Sequence, residues 1–307
     1  MLHESEYFLS FWKILFNAKN RFFETGEVEH TFDAGGWGGL CWYPSGDRKL
    51  TGSQAGLRVW DAANGDLLHE ADSPGEEWFG VAWSPDGSQI VSTSWAEEEN
   101  VVFWDAVSLD RLRSFTVEKG PLIAISWSPD GTRVATTGMR GEGAIRDANT
   151  VEVVLRLMPE EYTEQVAGII WINDGTQVIL SAPGTSYRFD ATTGEELMQY
   201  TGFNDISFDI ELSDDEKLVY FMLGDGTARV FDGDKGVELL VYEAGGWASG
   251  GLSPDNKKLL LTSSTGGNVS IYPAWQTLEE LVAYAKECCL VHQLTPDERE
   301  QFGLPPK

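Results

Sequence analysis

Short apolar runs broken by turn residues fill most of the chain. Gln89 to Ser94 is one such run and Lys258 to Ser264 another, and both end in small residues. Ahead of them stands a recurring pentapeptide. Trp83-Ser84-Pro85-Asp86-Gly87 returns as Trp127-Ser128-Pro129-Asp130-Gly131. Weaker copies are Trp42-Tyr43-Pro44-Ser45-Gly46, Trp171-Ile172-Asn173-Asp174-Gly175, Leu212-Ser213-Asp214-Asp215-Glu216 and Leu252-Ser253-Pro254-Asp255-Asn256. After each apolar run comes a second signature, Trp60-Asp61, Trp104-Asp105, Arg146-Asp147, Phe189-Asp190, Phe231-Asp232 and Tyr272-Pro273. A further short run follows in five units, as at Leu67 to Ala71 and Arg111 to Thr116. A period of roughly 40 residues marks a repeat architecture, in which one unit cannot bury its faces alone.

Each unit therefore reads as four short strands joined by turns, here called a to d. Pro sets φ for a tight turn and Gly takes φ > 0, which suits the Pro-Asp-Gly connections. Radial stacking of four-stranded units buries both faces and leaves few exposed edges. The expected fold is all-β, a β-propeller of six four-stranded blades with a short C-terminal helical tail.

The Trp-Ser-Pro-Asp-Gly turn and the Val59-Trp60-Asp61-Ala62 third strand resemble bacterial WD-repeat (WD40-type) proteins over about Gly26 to Ala274. The resemblance implies strands a to d running outward from a central channel. It also implies that the last blade is completed by a strand from the other end of the chain. The sixth unit stops after Asn268 to Tyr272, and Glu27 to Phe32 has the character of its missing strand d. The sequence departs from the family in lacking the Gly-His pair before strand a. Only Gly224-Asp225-Gly226-Thr227 keeps the Asp-Gly turn between strands b and c.

Three regions follow: an N-terminal extension at 1–25, the propeller at 26–274 and a helical tail at 275–307. Within the extension, Lys13 to Ala18 reads as a strand c of a partial seventh blade, or equally as a helix or the leftover of a lost blade. In the tail, Thr277 with Glu280 forms a capping box. Leu278, Leu281, Val282, Ala285, Cys288 and Cys289 then recur at helical spacing. A second start has Thr295 as cap and Pro296 at the first helical position.

The formal net charge of −27 sets the favoured partners. Such a chain repels nucleic acid phosphates and anionic lipid, and attracts basic partners. No run approaches the roughly 20 apolar residues that span a bilayer. His3-Glu4-Ser5-Glu6 lacks the positive start of a signal peptide. Cys41, Cys288 and Cys289 do not form a spaced disulfide framework, so reduced thiols in a cytoplasmic monomer are expected.

No chemistry stands out. His3, His30, His69 and His292 have no second ligand at metal spacing. The nucleophile elbow and the phosphate loop are both absent. Asp232-Gly233-Asp234-Lys235-Gly236 lacks the ligand number of a calcium loop. The expectation is a non-catalytic protein-interaction scaffold with no cofactor and no metal. The rivals are a propeller hydrolase or lyase with channel carboxylates, and a small-ligand-binding propeller.

Strand a begins with Trp37, Trp78 and Trp247 in three units, where the family usually has an aliphatic residue. Through the resemblance these should stand near the channel mouth, and Trp is a common binding hot spot. Loops d–a and b–c share one face and hold Glu97, Glu98, Glu99, Glu142, Glu160 and Glu161 among other carboxylates, against Lys119 and Arg140. An acidic rim with aromatic centres suits a basic peptide or protein segment.

Overall fold

The computed structural model describes residues 17–21, 28–33, 39–71, 77–117, 120–244, 248–253, 256–263 and 269–288. The chain forms a six-bladed β-propeller. It opens with a hairpin of β1 (Asn17–Arg21) and β2 (Val28–Asp33). Blade 1 holds β3 (Leu40–Trp42), β4 (Arg48–Ser53), β5 (Gly56–Asp61) and β6 (Leu67–Glu70). Blade 2 holds β7 (Trp78–Trp83), β8 (Gln89–Ser94), β9 (Val101–Asp105) and β10 (Arg111–Phe115). Blade 3 holds β11 (Leu122–Trp127), β12 (Arg133–Gly138), β13 (Gly143–Asp147) and β14 (Val153–Arg156). Blade 4 holds β15 (Ile169–Ile172), β16 (Gln177–Ala182), β17 (Thr185–Asp190) and β18 (Glu196–Thr201). Blade 5 holds β19 (Ser207–Leu212), β20 (Leu218–Leu223), β21 (Thr227–Asp232) and β22 (Glu238–Glu243). Blade 6 shows β23 (Ala248–Leu252), β24 (Lys258–Ser263) and β25 (Val269–Pro273), and α1 (Leu278–Cys288) follows.

Every sheet is an antiparallel meander, and its first strand is innermost. Consecutive blades touch through these first strands, β7 with β11, β11 with β15, β15 with β19 and β19 with β23. The second strands are the most buried, with β20 buried throughout, while β6 is exposed along its length. The recurring sequence motifs build this frame. The Ser84 hydroxyl donates to Asp86 at 2.6 Å and accepts from the Gln89 amide, and Ser128 and Ser213 repeat the pattern. The glycine of the motif sits at φ 70° in Gly87 and Gly131. Glu216 and Asn256 hold the same left-handed position at φ 55° and 51°, which is why those two copies look degenerate in sequence.

The aromatic-Asp signature divides its labour. Asp61, Asp105, Asp147, Asp190 and Asp232 each accept two backbone N–H groups two and three residues on, closing the c–d turn. These bonds favour the charged form and hold the carboxyls of Asp105, Asp147 and Asp190 below the ordinary range. The indole of Trp60 donates to Thr51 at 2.9 Å and that of Trp104 to Ser92 at 2.8 Å. In blade 3 Arg146 takes the indole's place and donates to Thr136 at 3.2 Å, paired with Glu142 in a buried ion pair.

Two expectations change. Val28–Asp33 pairs with Asn17–Arg21, not with the outer edge of blade 6, so the Glu27 to Phe32 run does not close that blade. The preceding strand is Asn17–Arg21; it shares only Asn17 and Ala18 with the expected Lys13 to Ala18 run, whose residues 13–16 lie outside the described residues. A hairpin satisfies both backbones locally, and β2 has no need to reach across the ring.

The tail packs. The Glu280 amide donates to the Thr277 hydroxyl and Glu280 accepts from the Gln276 amide, so the expected cap forms. Leu281 and Trp275 join the cluster of Tyr220, Tyr242, Leu259 and Leu261 between blades 5 and 6. The second expected helix start at Thr295, and Cys289, lie outside the described residues. Cys41 is a free thiol facing the blade 1 core, and burial pushes it up to about 12. No helix among the described residues is long and apolar enough to cross a membrane.

Candidate partner-binding face

The b–c and d–a connections lie at one end of the blades because the strands alternate in direction. Blade 2 contributes the loop after β8. Its Glu97, Glu98 and Glu99 side chains are all exposed. Glu99 is held at φ 50°, where a non-glycine residue is strained. Its amide donates to Thr116, and its carboxylate accepts from the Ser114 hydroxyl at 2.8 Å. Asn100, fully buried, clamps the neighbouring d–a loop through the Val117 amide and carbonyl. The acidic loop thus sits on a rigid base.

The d–a loop between blades 3 and 4 carries Glu160 and Glu161, both exposed. Its position is fixed at Gly141, where a Cβ would stand 1.8 Å from the Tyr162 carbonyl oxygen. Glu97 to Glu99 and Glu160 to Glu161 therefore occupy the same end of two adjacent blades. Arg140, also exposed, lies beside Gly120 on that end.

The tryptophan expectation divides. Trp37 and Trp247 lie outside the described residues. Trp78 is 1% exposed and packs edge-on against Trp104 at 5.3 Å, among Leu50, Leu57 and Val81. It wedges between blades 1 and 2, because the first residue of strand a points at Gly52 of the preceding blade rather than at the channel. Trp78 is a core residue and offers a partner no surface. Glu142 leaves the rim as well, at 1% exposure beneath it and bonded to Arg146.

The residue that sequence reasoning missed is Trp95. It is half-buried at the root of the acidic loop and stacks on Phe79 at 4.3 Å, with 17° between the rings. Its signal was a tryptophan breaking the small-residue end of strand b.

A second feature lies on the innermost strand of blade 5. Asp209 and Glu211 alternate onto one face of β19, opposite Gly250 and Gly251 of β23. The Gly250 amide donates to Asp209, and a Cβ on Gly251 would stand 3.2 Å from Glu211 Oε1. Burial, and then the neighbouring Asp209 charge, push the Glu211 carboxyl up to about 7. Among the described residues no three His, Cys, Asp or Glu side chains are grouped as for a metal.

These features belong to a β-propeller whose recurrent polar residues serve its own turns and blades. Among solved structures, one chain in a crystal structure of the mitotic checkpoint complex is similar to it, with a TM-score of 0.66 and 19% identity. The match covers 78% of this chain and 74% of that one, and at such identity it speaks to the fold alone. No family model matches the sequence, and no curated protein matches it either.

Proposed function

We propose that this chain is a WD-repeat propeller working as a non-catalytic protein-interaction scaffold. It would dock a basic peptide or protein segment on the loop face that carries Glu97, Glu98, Glu99, Glu160 and Glu161. The observation that carries the reading is the placement of those five exposed carboxylates at one end of blades 2 and 3, on loops fixed by Asn100 and Gly141. Fixed loops reduce the ordering cost of binding. Trp95 supplies the aromatic surface beside them. The similar chain in the mitotic checkpoint complex is part of a protein assembly, which agrees with this reading. We place the protein in the cytoplasm as a monomer.

The test uses a Lys/Arg-rich peptide array as probe, with association followed against salt. Exposed charges act beyond contact but are screened over about 10 Å at 0.1 M salt. Changing Glu97, Glu98 and Glu99 together to Gln should lower the association rate of the bound peptides and flatten its salt dependence. Peptide binding that ignores both salt and the triple change removes the acidic face from consideration.

A second reading, a propeller enzyme with channel carboxylates, draws on Asp209 and Glu211. Two carboxylates in one partly dry site, one of them shifted towards neutrality, suit acid–base work. Turnover of a hydrolase substrate panel that is lost on Glu211→Gln would favour it over the scaffold.

A further inference from the structure

Among the described residues, one face of the ring is left uncovered. At five successive junctions, strand b of a blade packs on strand a of the next: β4 on β7, β8 on β11, β12 on β15, β16 on β19 and β20 on β23. In blades 2 to 4 this contact buries a tryptophan at the end of strand a. Trp83 is 7% exposed with Tyr43 of blade 1 edge-on at 4.9 Å. Trp127 is 9% exposed against Phe103 of blade 2, and Trp171 is 7% exposed under Arg133 of blade 3. Their counterpart in blade 1, Trp42, is 49% exposed, and Leu40 two residues earlier is 39% exposed. Leu40 corresponds to Val81 and Ile125, which are 8% and 6% exposed.

The hairpin β1–β2 tells what should lie there. Arg21 stands opposite Val28, with a bulge just before Arg21. Trp60 stands opposite Leu67 and Phe189 opposite Glu196, each with a bulge at the same place. The hairpin thus has the register of strands c and d. β2 ends at Asp33 and β3 begins at Leu40, an interval like that between Phe115 and Leu122. So β1–β2 is the outer half of a blade preceding blade 1. In the complete blades strand c also pairs with a strand b, which ends three to seven residues before it starts, as Ser53 precedes Gly56 and Ser94 precedes Val101. Counting back from Asn17 brings the end of a strand b to residues 10–14.

The chain there reads Tyr7-Phe8-Leu9-Ser10-Phe11-Trp12, an aromatic and apolar run. It has the uncharged character of the buried second strands such as Leu218–Leu223. We propose that Tyr7–Trp12 docks on the Leu40 and Trp42 face as strand b of a partial seventh blade. The run joins β1 on one side and covers Trp42 on the other, completing the junction that the other five blades share. It buries apolar surface that otherwise meets water, which is favourable.

Hydrogen exchange with mass spectrometry on the full chain tests the docking. Amides of residues 7–12 should exchange at least tenfold more slowly than in the Phe8→Asp/Phe11→Asp variant, and the β3 amides should lose protection with them. Because that double change could disturb folding, Trp42→Ala is the second variant. It should release residues 7–12 while blades 2 to 5 keep their protection. Three results overturn the proposal. One is free-peptide exchange at residues 7–12 in the unmodified chain. Another is protection that survives Trp42→Ala. The third is protection that disappears on dilution together with a dimer, which assigns the face to a second copy of the chain.

Discussion

Blade 3 puts an arginine where blades 1 and 2 put a tryptophan, and the substitution makes a sharp energetic prediction. Arg146 and Glu142 have side-chain exposures of 8% and 1%. Arg146 also donates to Thr136 at 3.2 Å and to the Val151 carbonyl at 3.2 Å, so the guanidinium is well served only while Glu142 balances its charge. Glu142→Ala leaves that charge buried and unbalanced, and should cost about 3–5 kcal/mol. Arg146→Trp alone strands the Glu142 carboxylate and should cost a similar amount. The double variant Glu142→Ala/Arg146→Trp approximates blade 1, where the small Gly56 stands four residues before Trp60 and Trp60 donates to Thr51. Replacing a buried pair by packed apolar groups is often neutral or stabilising by about 1–4 kcal/mol. The double variant should therefore recover to near the parent stability or above it. With an unfolding entropy of about 2.1 cal/mol/K per residue, each kcal/mol moves the midpoint by roughly 1.5 °C in a chain this long. The singles should melt roughly 5–8 °C lower, and the double should not. Circular dichroism melts and urea titrations with an unchanged slope would measure this. Singles within about 1 kcal/mol of the parent, or a double as damaged as the sum of its parts, would refute the buried-pair argument.

Three further outcomes are expected. Trp78→Ala should cost about 3–5 kcal/mol of stability, as for a large core aromatic, and a variant of unchanged stability that weakens peptide binding would restore Trp78 as a contact residue. The Glu211 carboxyl lies above its ordinary value in the folded chain, so the folded state holds that proton more tightly. Stability should then rise as pH falls from about 7 toward 4.5. The Asp86 and Asp130 carboxyls lie below their ordinary value, chiefly through the Ser84 and Ser128 hydroxyls, so their contribution is lost as pH falls below about 4. Melting across this range should peak at about pH 4–5, and Glu211→Gln should flatten the alkaline side of the peak. Leu281→Ala should cost about 2–3 kcal/mol and release α1, read as faster amide exchange at residues 278–288 with blades 1 to 4 unchanged.

The repeat was fully legible in the sequence. A Ser-Pro-Asp-Gly turn and an aromatic-Asp turn are local devices, closed by hydroxyls and amides within five residues, so their spacing alone reported the blades. The helix cap at Thr277 was legible for the same reason. The exposed glutamates of residues 97–99 and 160–161 could be assigned to loops because charge runs do not enter a buried strand. What sequence could not decide was which way a side chain points across a blade junction. Trp78 and Trp95 both stand at strand ends near one face, and only the twist of neighbouring sheets buried the first against Gly52 and stacked the second on Phe79. The fate of Glu142 depended likewise on Arg146 filling a tryptophan's slot beside Thr136. Strand partners at the ends of the chain were also undetermined, since Val28–Asp33 carries the same alternation whether it joins blade 6 or β1. A β-strand states its propensity in its own residues, but its neighbour is set by geometry that closes over the whole ring, and there tertiary structure paired it with Asn17–Arg21.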